Sequence, residues 1–153
     1  MKIQTIQAVN AYRMLKELKL SDTKEAIMIS IWKNMKTLRP YSESYDKDSK
    51  ECEETLNDSE HEDMRKRAQS MTEKKRKADK GIYSLTIEDM EEVDSLNEYF
   101  KTYSEKGRSY FQEMEKKEID VELDTIPAKD MLHILQGSGR SFGDMEYLNI
   151  MID

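Results

Sequence analysis

Between Ile87 and Lys116 apolar residues recur at every third or fourth position: Ile87, Met90, Val93, Leu96, Phe100, Tyr103, then Tyr110, Phe111 and Met114. That period lays one apolar stripe along a helix of 3.6 residues per turn, with Glu, Lys and Asp on the other faces. Thr86 is placed to cap its start, and Asp89 stands three residues on, where a short acid can complete a capping box. Thirty residues at 1.5 Å each make a rod of about 45 Å. A stripe that long needs a long partner, from this chain or from a second copy.

The rest of the chain is punctuated in the same way. Met1, Ile3 and Thr5 alternate with Lys2 and Gln4, a short strand pattern. Thr5 then caps a helix over 6–18, with Ile6, Val9, Tyr12, Leu15 and Leu18 on one side. Leu20-Ser21-Asp22 breaks it. A second helix follows, with Glu25 answering Asp22 at its start and an inner face of Ile27, Ile31, Met35 and Leu38, broadened by Met28 and Trp32. The short connection reads as an antiparallel helical hairpin. Pro40 must end, kink or restart this helix. Because Tyr41, Tyr45, Cys52 and Leu56 continue a thin stripe, a kink or restart is favoured.

Asn57-Asp58-Ser59 marks the next break, and Ser59 is a cap for a helix over 60–80 whose apolar residues are Met64, Ala68 and Met71. Gly81 suits its C-terminal turn. After Lys117 the period changes to two: Ile119, Val121 and Leu123 alternate with acids, the mark of a half-buried strand. A lone strand leaves its backbone unpaired, so it is expected to pair with the opening segment. Pro127 as a first-turn proline starts a short helix to Leu135, which Gly137 ends. Ser141 with Asp144 opens a last helix through Ile150, with Phe142, Met145 and Leu148 facing inward. The expected fold is therefore mainly α. It comprises a long antiparallel helical hairpin or coiled-coil-like bundle, a small two-stranded β element (about 1–5 with 118–124) and two short C-terminal helices. It is read as one domain over 1–153, with a charged extension at about 46–82.

Composition narrows the classes. With 37% hydrophobic and 37% charged residues, five Gly and two Pro, the chain suits helices with large solvated faces and not a sandwich or barrel. A net charge of −7 offers no basic footprint for general nucleic-acid binding. Cys52 is the single cysteine, so neither an internal disulfide nor a thiolate metal cage is available, and a reducing compartment is the default. Residues 1–20 lack a signal-peptide layout, and no stretch approaches the ~20 apolar residues of a membrane span. The expectation is a soluble intracellular protein with no membrane association.

Four features bear on chemistry. Gly137, Ser138, Gly139, Arg140 and Ser141 precede a helix start, where backbone N–H groups and Arg140 could hold an anion. With Arg108 and an aromatic such as Phe142 or Tyr147, they would form a pocket for a nucleotide-like molecule. The simpler reading is a glycine-ended αα turn, since Walker and Rossmann spacing are absent. His61 and His133 lack metal-ligand spacing and read as surface or helix-end residues. Cys52 has no neighbouring base and reads as a small packed hydrophobe. The basic block 65–80 follows an acidic block over 51–63, and pairing of the acidic and basic faces, within a chain or between subunits, is favoured over phosphate binding. No catalytic residue, metal site or cofactor is assigned, and a non-enzymatic protein is expected. Trp32, Tyr41, Tyr45, Phe100, Tyr103, Tyr110 and Phe111 form an aromatic set for an oligomeric interface.

The opening Met1-Lys2-Ile3-Gln4-Thr5 with Ala8, Ala11-Tyr12 and Leu15, then Lys33-Asn34-Met35-Lys36-Thr37-Leu38 with Tyr41 and Tyr45, resembles small phage and prophage proteins, themselves uncharacterised. These are often encoded among tail or head-completion genes. Their chains close similarly to Ile119-Asp120-Val121-Glu122-Leu123-Asp124-Thr125-Ile126 and a terminal acidic helix, here 144–153. The likeness covers about half the chain and not the charged region 46–82. It implies a helical accessory factor in the bacterial host cytoplasm or on the virion, binding other copies or phage or host proteins during virion or tail assembly. The alternative is a counter-defence protein that sequesters a host signalling nucleotide or inhibits a host defence protein.

Overall fold

The computed structural model describes residues 1–153, mainly helical with one two-stranded sheet. In chain order the elements are β1 (Lys2–Gln4), α1 (Thr5–Lys16), α2 (Glu25–Leu56), α3 (Ser59–Asp79), α4 (Ile87–Lys116), β2 (Glu118–Asp120) and α5 (Ala128–Gly137). A 3-10 helix, Phe142–Met151, ends the chain. They divide into two compact units, 1–48 with 112–153 and 49–111. The charged stretch read as an extension falls mostly in the second unit, and α2 and α4 contribute residues to both.

In the first unit the expected strands pair. β1 and β2 are antiparallel, with Lys2 opposite Asp120, Ile3 opposite Ile119 and Gln4 opposite Glu118. The ladder is shorter than the alternation suggested, and beyond it the Val121 N–H donates to the Met1 carbonyl at 2.9 Å. Ile3 and Val121 reach the core, which α1 lines with Ala8, Ala11, Met14 and Leu15. Ala8 and Ala11 are fully buried; small residues there let neighbouring backbones approach. Ile31 and Leu38 of α2, Met131, Ile134 and Leu135 of α5, and Leu148 and Met151 complete the core. One buried polar side chain ties it together. Asn34 donates Nδ2–H to the Asp124 carbonyl at 2.9 Å and accepts the Asp124 N–H at 2.7 Å.

The second unit is an antiparallel pairing of α3 and α4, read from contacts that run in opposite order along the two helices. Asn57 accepts from Tyr103, His61 meets Tyr99, Arg67 grips Glu92 and Lys74 reaches Asp89. Cys52, Met71 and Leu96 are its buried apolar residues.

Several local expectations shift. Helix α2 runs through Pro40 without a restart. Gln4, not Thr5, caps α1, in a reciprocal box with Gln7. Asp58, not Ser59, caps α3 by accepting the His61 N–H at 2.8 Å. Pro127 occupies the cap of α5 instead of its first turn, and Gly137 lies inside the helix. The last helix has the expected Ser141–Asp144 box but winds as a 3-10 helix, whose threefold period turns Phe142 to solvent, 73% exposed. On α4, Ile87 and Met90 are 77% and 62% exposed, so the apolar stripe is not the buried face at that end.

Candidate functional site

The α3–α4 turn is built by its polar groups and displays its apolar ones. Gly81, at φ 73°, ends α3 in a Schellman turn: its N–H donates to the Ala78 carbonyl, and the Ile82 N–H to Lys77. Asp89 then organises residues 83–89. Its carboxylate accepts the Thr86 N–H at 3.0 Å, the Tyr83 hydroxyl at 2.6 Å and the Lys74 ammonium at 2.9 Å. The Asp89 N–H returns to Thr86 Oγ1 at 3.1 Å, completing the capping box expected from the sequence. The Thr86 N–H, then the Tyr83 hydroxyl and Lys74, hold the Asp89 carboxyl far below the usual carboxylate range, and the same carboxylate raises Tyr83 and Lys74. With Asp89 only 5% exposed, Ile82, Leu85, Ile87 and Met90 are left 41–77% exposed around it. Residues 73–91 carry five basic and five acidic side chains, so this segment is neutral within an acidic protein.

Farther along the same unit, His61 stacks on Tyr103 with centroids 4.1 Å apart and meets Tyr99 Oη at 3.2 Å. Phe100 closes the group edge-on. His61 is therefore half-buried among rings, not a plain surface residue. The Tyr99 and Tyr103 hydroxyls are directed at His61 and Asn57. Within the chain, the basic block pairs mostly with α4 and with its own helix. Arg67 takes Glu92 of α4 with both prongs at 2.6 and 2.7 Å, and Lys74 takes Asp89. Arg76 takes Glu73 one turn back, and only Arg65, on Glu62, reaches the acidic block. Burial pushes the Cys52 thiol up, helped by Glu53.

In the first unit Trp32 is 57% exposed on α2. The Lys36 ammonium lies 4.5 Å from its ring centroid. The pair borders a cleft of about 200 Å³, whose other walls are Tyr12, Met35 and Arg39. Tyr41 is half-buried against the core, and Tyr45 donates to Glu115 at 3.2 Å.

The 137–141 turn spends its donors internally. The Ser138 and Gly139 N–H groups return to carbonyls of α5, that of Arg140 to Leu135, and that of Ser141 to the Asp144 carboxylate. Ser138 Oγ receives the Lys19 N–H, and the Arg140 guanidinium pairs with Glu17. No backbone nest faces outward there. Arg108 belongs to the other unit, so neither unit by itself assembles that pocket. The aromatic set also divides: Trp32, Tyr41 and Tyr45 lie in the first unit, and Phe100, Tyr103, Tyr110 and Phe111 in the second. Of these, Trp32 and Tyr110 are largely exposed; the others are half-buried.

No protein-family model, curated protein or solved structure matches this chain. No helix is long and apolar enough to cross a membrane. Sequence reading missed the α3–α4 turn as a surface because Ile87 and Met90 fit the apolar stripe. The available signal was that Asp89, the capping partner, lies between them.

Proposed function

We propose that the protein is a non-enzymatic phage or prophage accessory factor that acts by protein–protein binding and self-associates through the α3–α4 turn. The observation that carries this reading is the display of Ile82, Leu85, Ile87 and Met90 at 41–77% exposure on a backbone pinned by Asp89. Apolar side chains grouped on a preorganised segment bind with little ordering cost. Charge favours a second copy as the occupant. Two chains of net −7 repel elsewhere, while the neutral turn can meet its own copy. The exposed Lys75, Lys77 and Lys80 before the turn and the exposed Glu88 and Glu91 after it supply opposite charges for an isologous contact. The phage context rests on the likeness of the two terminal segments to phage proteins.

The test is mass determination by light scattering or native mass spectrometry at concentrations on the order of 100 µM, where even a micromolar dimer is nearly complete. Wild-type protein should be a dimer or larger, and the double variant Ile87→Asp, Met90→Asp should be a monomer with unchanged helicity. Both positions are solvent-facing, so the variant removes the contact without opening a core. A wild-type monomer, or a variant with the wild-type mass, refutes the proposal.

A further inference from the structure

Trp32, Lys36 and Arg39 follow one another at spacings of four and three residues, which places them on one face of α2. This face collects positive charge in an acidic protein. Lys36 has only the Trp32 ring as a partner, at 4.5 Å. Arg39 meets one carboxylate, the exposed Glu43 at 3.3 Å, and leans on the Tyr12 hydroxyl. Lys16, on α1, stands 5.7 Å from the Tyr12 ring centroid and adds a third cation within a Debye length of the cleft. No acidic residue lines the cleft of about 200 Å³ between Tyr12, Trp32, Lys36 and Arg39. An adjoining hollow of about 530 Å³ shares Trp32 and Lys36 and adds Lys33, Thr37, Glu122 and Asp124, with Lys33 paired to Asp124 at 3.6 Å.

We propose that this face binds a nucleotide, with its base stacked on the Trp32 indole and its phosphate held by Lys36 and Arg39. An exposed cation–π contact is weak, so a phosphate draws the Lys36 ammonium off the ring and frees the indole as a stacking platform. Arg39 supplies a planar fork suited to phosphate oxygens. Glu122, in the adjoining hollow, accepts from an exocyclic amino group, which selects an amino-bearing base. Such a site serves the sequestration alternative raised by the sequence, through residues other than Arg108 and the 137–141 turn. It stands independently of self-association.

Trp32 is the only tryptophan, so its emission reports directly on the site. AMP titrated into the 153-residue chain should quench it saturably, with a midpoint below about 1 mM. Inorganic phosphate should compete without quenching. Lys36→Gln with Arg39→Gln should raise the AMP midpoint at least about tenfold, the scale of one lost charge-assisted contact, with circular dichroism unchanged. Should the double variant lose helicity, Lys36→Glu alone, which touches no core residue, must show the same weakening. Quenching that is linear in AMP and equal in wild type and variants overturns the proposal. So does an AMP response that inorganic phosphate reproduces, because the face would then be an anion patch with no stacking.

Discussion

Replacing Asn34 should destabilise the first unit more than any exposed polar substitution. The side chain is 1% exposed and supplies both hydrogen-bonding partners of the Asp124 peptide groups, at 2.9 and 2.7 Å. In Asn34→Ala one backbone carbonyl and one N–H lose their partners. At ~1–3 kcal/mol for each orphaned buried group, and with half-exposed Asp124 partly rehydrated, the cost is about 3 kcal/mol. That is a large share of the ~5–15 kcal/mol that holds a domain together. Trp32 emission, two residues away, follows this unit during urea unfolding, and with a slope of ~1–3 kcal/mol/M the midpoint should fall by roughly 1–3 M. Asn34→Asp sharpens the test. At neutral pH its carboxylate faces the Asp124 carbonyl, and only the protonated acid can donate as the amide does. The new carboxyl therefore has a folded pKa above its unfolded value of about 3.9. Its favourable contact is complete below the unfolded value and is lost as pH rises through the folded one. This variant should approach wild type on acidification while Asn34→Ala does not. Equal midpoints for Asn34→Ala and wild type, or parallel pH profiles for the two variants, refute the reasoning.

Two further outcomes follow from the second unit. Asp89→Asn should speed hydrogen exchange of the Thr86 amide and its neighbours at neutral pH while exchange in α1 stays constant. Because the folded pKa of Asp89 is depressed, its contribution is full above the unfolded value of about pH 4 and fades only as pH falls through the lower folded value; an unchanged Thr86 rate contradicts the network. Cys52, 2% exposed and with its thiol pKa raised, should react with an aromatic disulfide reagent only as its unit opens. Rapid stoichiometric labelling under native conditions at pH 8 disproves its burial.

What was legible in the sequence is what depends on near neighbours. The bounds of α4, the Thr86–Asp89 capping box and the Ser141–Asp144 box each need only residues within a turn of one another. The pairing of β1 with β2 was also recoverable, because the chain holds two alternating segments and a strand must find a partner. The Trp32–Lys36–Arg39 face was present in the helix period, but a net charge of −7 is a whole-chain sum and hides a local cation cluster.

The sequence by itself determined the helical class, the element boundaries to within a few residues and the terminal strand pair. Tertiary structure alone decided which side of each helix is covered. Ile87 and Met90 share the period of Leu96, yet they stay in water while Leu96 is buried. It decided that Asn34 serves a backbone 90 positions away, and that the donors of the 137–141 turn are already used. The physical reason is range. Helix period and caps are set by hydrogen bonds that span three or four residues, whereas burial and satisfaction depend on what distant segment arrives against a face.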